Sequence, residues 1–296
     1  METLERLRQQ LDSFGDLRDI VGTMKTLSAA SIHQYEQAVR SLADYRRTVE
    51  LGLHIVLRES EPPPIRKHRK DDHLAAVIFG TDYGLCGRFN EEITQYALQR
   101  LDSIPAHPER KIFVVGMRAT DLLERAGQPV TEVLNLPGGA NQIGATIQEI
   151  LLHIDHWRQE PGLDLLYLFH NSPSGRSAYH ATSFPLLPVH LERFHRLEKR
   201  AWPSRNLSTY TMDRHKLFSA LLRQYFFISL FRACAESQAA EHGSRLAAMQ
   251  AAERNLNERI EELIGQYRRS RQEAITTELL DVVTGFEAVS GEDLTI

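Results

Sequence analysis

Leu246-Ala247-Ala248-Met249-Gln250-Ala251-Ala252-Glu253-Arg254-Asn255-Leu256-Asn257-Glu258-Arg259-Ile260-Glu261-Glu262-Leu263 holds no proline and returns to an apolar residue every third or fourth position. Leu246, Met249, Ala252, Leu256, Ile260 and Leu263 therefore share one face of a helix, and Tyr267, Ala274, Leu279, Val282 and Phe286 carry the stripe onward. Upstream, Leu217, Leu221, Tyr225, Ile228, Phe231 and Ala235 form a stripe of the same kind. No proline occurs from Asp213, a residue suited to capping a helix, to Val289. The spacing predicts one helix of about 75 residues, roughly 110 Å long at 1.5 Å per residue. Gly243 and Gly265 interrupt the stripe, as Arg18 does in the N-terminal helix, which suits a helix whose outer face also meets other proteins.

The N-terminal part reads the same way. From Thr3 to Arg58 there is no proline, and Leu4, Leu7, Leu11, Phe14 and Val21 recur at helical steps. Leu17, Ile20, Met24 and Leu27 repeat those steps one face over, and Tyr35, Val39, Leu42, Val49 and Val56 continue the pattern. This predicts a helix of about 55 residues, far beyond the roughly 11–12 of an average globular helix. Glu61-Pro62-Pro63-Pro64 stops it, and Arg66-Lys67-His68-Arg69-Lys70-Asp71-Asp72 reads as a solvated linker.

Between the two helices the rhythm changes. Ala75–Phe79, Ile112–Val115, Val130–Leu134, Leu165–Phe169 and Leu186–His190 are strand candidates, the last an edge strand because of Pro188. Asn90–Leu101, Arg118–Ala126 and Asn141–Trp157 read as helices between them. The alternation predicts a three-layer, Rossmann-like α/β domain with a mainly parallel sheet, inserted between long helices that wind together as an antiparallel coiled coil. The expected division is a first long helix over 1–60, a linker over 61–72, the α/β domain over 73–208, a second long helix over 209–289 and a tail over 290–296.

Composition excludes several classes. With 42% hydrophobic and 25% charged residues and a net charge of −4, the 296-residue chain has the means for a core and no basic excess for nucleic acid. Cys86 and Cys234 are the two cysteines and form no ligand or redox spacing. No apolar targeting core opens the chain, and no window approaches the roughly 18 uninterrupted apolar residues of a membrane span. Membrane association is expected to come through partners.

Chemistry-bearing motifs are few. Gly80-Thr81-Asp82-Tyr83-Gly84-Leu85-Cys86-Gly87 follows the first strand as a phosphate loop would, yet lacks both the dinucleotide glycine spacing and a Gly-Lys-Ser/Thr ending. It reads as a glycine-permitted turn, with Asp82 a lone carboxylate. His153 and His156, and His190 and His195, lack the companions of a metal site. Ser174 lacks a hydrolase elbow, and Asn206-Leu207-Ser208 is only a formal glycosylation triplet. No catalytic residue, metal or cofactor is expected. Near the end of the last helix, Arg271, Gln272, Thr276 and Glu278 stand among apolar positions, with Gln272 and Thr276 on one face.

At this point the chain resembles a family, the γ subunits of F-type ATP synthases. Glu241-His242-Gly243-Ser244-Arg245-Leu246-Ala247-Ala248-Met249, followed by Asn255, is similar to the γ signature SE-x-x-x-R-M-x-A-M-x-x-A-x-x-N. Arg271-Gln272-Glu273-Ala274-Ile275-Thr276-Thr277-Glu278-Leu279 resembles RQ-x-x-IT-x-E-L. The turn holding Asp82, Gly84, Leu85, Cys86 and Gly87 is similar to S-D-x-G-L-C-G, and Met24-Lys25 with Ala29-Ala30-Ser31 to M-x-x-V-A-A-S-K. Ile32, Arg268 and Phe286 depart from the pattern and suggest a divergent branch, of the alternative or sodium-pumping type.

The resemblance implies a non-catalytic central-stalk rotor, one copy per complex, coupling ion translocation to ATP synthesis or hydrolysis. Its coiled coil would turn inside the α3β3 hexamer and its α/β domain would stand on the c-ring beside the ε subunit. The complex would lie on the cytoplasmic face of a bacterial inner membrane. Arg271, Gln272, Thr276 and Glu278 would contact α and β, and Met24 and Lys25 would belong to a coupling helix. Two other readings explain the architecture: a nucleotide-binding enzyme flanked by oligomerisation helices, and a coiled-coil scaffold. Neither explains the C-terminal motif string.

Overall fold

In a computed structural model, residues 4–58, 69, 71–105, 109–159, 162–175, 178–189 and 209–292 are described, with side chains as far as 285. The two long helices are present as Leu4–Leu57 (α1) and, at the other end of the chain, Arg214–Glu292. Asp213 caps the latter, accepting the Lys216 amide on its carboxylate at 3.0 Å. Between them follow β1 (Leu74–Phe79), α2 (Phe89–Asp102), β2 (Arg110–Val115), α3 (Met117–Arg125) and β3 (Glu132–Leu134). A 3-10 turn at Ala140–Gln142 leads into α4 (Ile143–Gln159), then β4 (Leu165–Pro173) and β5 (Tyr179–Leu187). The C-terminal helix is α5.

The strand order is β3-β2-β1-β4-β5, with the first four parallel and β5 antiparallel to β4. The last strand starts earlier than its expected Leu186–His190, because Tyr179–Pro185 mix polar and apolar residues and carry no strong strand signal. It is an edge strand, as Pro188 suggested; His190, the linker residues 59–68 and the triplet 206–208 lie outside the described residues.

Alternation along the strands sorts their side chains into two cores. Leu74, Ala76, Ile78, Ile112 and Val114 face Ile93, Ala97 and Leu101 of α2 and Ala119 and Leu123 of α3. Ala75, Val77, Phe79, Phe113 and Val115 face Ile147, Ile150 and Ile154 of α4 together with Val49, Leu53, Tyr225, Ile228 and Leu230 of the long helices. The third layer thus includes the bases of α1 and α5 themselves, so the α/β domain is not an insert that could be cut away from them.

Two compact units can be told apart, Ser28–Leu246 and Met1–Leu27 with Ala247–Ile296. In the first, Tyr35 stacks on His242 at 5.6 Å, the Tyr45 hydroxyl donates to Gln224 at 2.6 Å and Arg214 donates to the Val56 carbonyl at 3.2 Å. Rising numbers on α1 meet falling numbers on α5, so the pair is antiparallel. Ser28, Ile32, Tyr35, Val39, Leu42, Val49, Leu53 and Val56 are its buried or half-buried seam. In the second unit Leu4, Leu7, Leu11, Phe14, Val21 and Lys25 form the seam of α1, and Met249, Glu253, Leu256, Ile260, Leu263 and Tyr267 that of α5. Steps alternating between three and four are those of a left-handed coiled coil.

Two parts of the expected stripes are not buried. Leu17, Ile20 and Leu27 on α1 are exposed, as are Ala274, Leu279 and Val282 on α5. No run of 18 uninterrupted apolar residues occurs, although an 18-residue window of α5 reaches mean hydropathy 1.2, enough by length and composition alone for a membrane span. A third of that window is buried in the structure, and Tyr225, Phe226, Ile228, Leu230, Ala233 and Cys234 pack into the sheet domain.

Candidate functional site

In a doubly wound sheet, ligands gather outside the carboxyl ends of the strands where the strand order reverses. Here that point lies between β1 and β4, and it is occupied by α5. The Ser237 hydroxyl donates to the carbonyl of Phe79, the last residue of β1, at 3.4 Å. Glu236 takes His170 and Ser172 of β4 at 3.0 and 3.4 Å, and Arg232 at 2.6 Å. An ionised carboxylate can only accept, so His170 presents its Nε2 proton to Glu236. Burial alone would raise the Glu236 carboxyl, but hydrogen bonds and charge from His170 and Arg232 hold it near 2.

The glycine-rich turn is fastened to the same helix. Ser244 donates to the Cys86 carbonyl at 2.6 Å, and Arg245 reaches the Gly84 carbonyl at 3.4 Å. Thr81 is fully buried, its amide on Asn90 Oδ1 at 3.0 Å and its hydroxyl on the Tyr83 carbonyl at 2.6 Å. Leu85 and Gly87 take left-handed backbone at φ 64° and 62° to turn the chain. Asp82 is no general base: one oxygen accepts the Met117 amide at 3.1 Å and the other the Leu136 amide at 2.9 Å, tying three loops together. The turn is therefore a structural joint, with Tyr83 and Leu85 exposed on its outer side.

The helix-borne candidates form two groups. Arg271, Gln272, Thr276 and Glu278 all lie in an unbroken run of exposed residues from 271 to 285. The Thr276 hydroxyl bonds back to the Gln272 carbonyl at 2.8 Å, and among the described residues Arg271 and Glu278 form no ion pair. Ile275, Leu279, Leu280, Val282 and Val283 are bare beside them. On α1, Met24 is half-buried and Lys25 donates to both carboxylate oxygens of Glu253 at 2.8 and 2.6 Å.

Of the histidines, His153 lies 3.6 Å from Glu132 and packs edge-on to Phe113, while His156 is exposed. No group of metal-ligating side chains occurs among the described residues. Cys86 and Cys234 are free and buried. Sequence reasoning gave no role to Glu236, Glu241 or His170. The i, i+4 pairs Arg232–Glu236 and Glu241–Arg245, set in an otherwise apolar stretch, are the signal that could have found them.

Two long helices, with a mostly parallel sheet whose strand ends pack against the second of them, define an α/β domain built onto long helices. The comparisons agree. The sequence model of the ATP synthase family matches residues 3–289. The ATP synthase gamma chain of Nostoc punctiforme is 30% identical, covering 98% of this chain and all of its own length. That of Bdellovibrio bacteriovorus is 29% identical with the same coverage. A chain of the Euglena gracilis mitochondrial ATP synthase, in the OSCP/F1/c-ring assembly, superposes with TM-score 0.67 at 19% identity over 99% of this chain and 96% of that one. This chain belongs to the ATP synthase γ-chain family.

Proposed function

We propose that the chain is the central-stalk rotor of an F-type ATP synthase, carrying torque between a c-ring in the membrane and an α3β3 catalytic hexamer, with ε alongside. The rotor is not itself catalytic, and it works on the cytoplasmic face of a bacterial inner membrane. The observation that carries this reading is the end-to-end family match, residues 3–289, on a chain with two long helices.

The bare run 271–285 supports the rotor–stator assignment. A helix end that exposes Ile275, Leu279, Leu280, Val282 and Val283 leaves apolar surface that another protein must cover. A bearing that slips needs apolar contact without fixed ion pairs. Arg271, Gln272, Thr276 and Glu278, set among these apolar residues, offer hydrogen bonds that can be broken and remade at each step, a two-state contact between rotor angle and site state. Met24, beside the exposed Leu17, Ile20 and Leu27, gives α1 a corresponding outer surface.

The test is a tagged pull-down from gently solubilised membranes with subunit stoichiometry. Recovery of one copy with α, β, ε and the c-ring is expected. Recovery as a free homo-oligomer would sink the rotor reading in favour of a scaffold.

A further inference from the structure

Beneath the glycine turn lies a buried charge cluster that the rotor reading does not use. Glu241 and Arg245, one helical turn apart on α5, meet at 2.6 Å with side chains only 4% and 9% exposed. The second Glu241 oxygen, Oε2, is buried without a partner. The same Arg245 nitrogen that holds Glu241 also reaches the Gly84 carbonyl, and another lies 3.4 Å from His242 Nδ1. Arg245 thus stands between a carboxylate on its own helix and the turn on the sheet.

We propose that Arg245 is a positioning residue whose grip on the glycine turn is set by a proton on Glu241, so that the joint between α5 and the sheet tightens when Glu241 is neutral. With Glu241 ionised, the guanidinium is held along its own helix. With Glu241 protonated, its attraction shifts to groups on the turn, the Gly84 carbonyl and the carboxylate of Asp82, whose field reaches this cluster. Asp82 also binds the Met117 and Leu136 amides, so a firmer hold on the turn reaches the β2–α3 and β3–α4 loops.

The surrounding groups single out Glu241 as the member that changes charge near neutrality. Burial, aided by Asp82 and opposed by Arg245, pushes its carboxyl up to about 7. On the same helix, burial and then Arg245 hold His242 down to about 4, and burial pushes Cys234 up to about 12. From α1, burial pushes Tyr35 up to about 12, and from the turn the buried Cys86 thiol is raised. Tyr179 of β5, with Glu92 of α2 beside it, is raised by burial to about 12. His242, the thiols and the tyrosines therefore stay neutral across the range in which Glu241 titrates.

The proposal rests on the rotor reading only for its use in torque transmission; its chemistry is tested on the isolated full-length chain. The Thr81, Met117, Arg118 and Leu136 amides bond to Asn90 Oδ1, Asp82, the Thr81 carbonyl and Asp82. Their exchange protection, corrected for intrinsic rate, is expected to rise on the order of tenfold between about pH 8 and pH 6, the worth of one charge-assisted hydrogen bond. Glu241→Gln is expected to show the acid-side protection at both ends, and Arg245→Gln to lose the dependence. Protection that does not change with pH in the unsubstituted chain, or a Glu241→Gln variant that keeps its pH profile, overturns the proposal and leaves the rotor reading intact. The rotor reading falls separately, on the membrane pull-down.

Discussion

Replacing Glu236 by glutamine removes one charge and almost no volume from the contact between α5 and β4. Glu236 is 13% exposed and accepts from His170, Ser172 and Arg232. Its carboxyl is brought from 4.5 to about 2 against the opposing effect of burial. At ~1.4 kcal/mol per unit, such a shift corresponds to a ceiling of about 3 kcal/mol. The Arg232 side chain is 49% exposed, so solvent screening removes part of that, leaving about 2 kcal/mol. The folded-state value lies below the unfolded one, so the stabilisation is present above the unfolded value and fades as pH falls through it toward 2. Urea unfolding of Glu236→Gln and the unsubstituted chain, run from pH 7 downward, should show midpoints well separated at neutrality. The separation should narrow steadily below about pH 4.5. A separation that stays constant with pH would mean that the glutamine acts through shape alone. No separation at neutrality would mean that the contact adds nothing, and either result refutes the reasoning.

Gly116→Ala is expected to cost about 3 kcal/mol or more, read as a lowered thermal midpoint. Gly116 has φ 114°, and an added Cβ would lie 2.6 Å from the Thr81 amide nitrogen. Lys25→Ala should cost no more than about 1 kcal/mol in a urea titration, since both members of its pair with Glu253 are about a third exposed. Arg271→Ala and Gln272→Ala should leave the unfolding midpoint of the isolated chain within about 0.5 kcal/mol. In the assembled complex they should slow or uncouple ATP turnover, and unchanged hydrolysis and pumping rates would defeat the assignment of those residues to rotor–stator contact.

The long helices were legible because their apolar stripes repeat over many residues, and the parallel strands because short apolar runs stand out between helical stretches. A proline-free stripe can be read without knowing what it packs on, and a buried β-branched run such as Ala75–Phe79 can be read without its neighbours. What could not be read was which side of a stripe is covered. Leu17, Ile20, Met24 and Leu27 repeat the seam spacing as faithfully as Leu4, Leu7 and Leu11, yet Leu17, Ile20 and Leu27 are exposed. On the rotor proposal their partner is another chain, and periodicity carries no information about that. The first half of β5 was missed because an edge strand alternates weakly and takes its pairing from β4 rather than from its own residues. The turn at Gly80–Gly87 was legible as a turn, but its anchoring to Ser244 and Arg245 spans about half the chain and leaves no local trace.

The filled crevice connects fold and mechanical use. A parallel sheet with glycines after its first strand is the setting in which other proteins hold a phosphate, because backbone amides there face open space. Here α5 brings Ala233, Ala235, Ala239 and Ala240 against the sheet domain, all buried, and small side chains let the helix backbone approach closely. Larger residues at those positions would hold the helix off and reopen the crevice. With the helix seated, Ser237, Glu236, Ser244 and Arg245 supply the partners that a bound ligand would otherwise supply to Phe79, His170, Cys86 and Gly84. Each such bond contributes only about 1 kcal/mol net, but breaking one without water to replace it costs about 1–3 kcal/mol. A helix pulled along its axis would have to break several of them together. The position where a doubly wound sheet ordinarily admits a small molecule is, in this chain, where the helix resists sliding over the sheet.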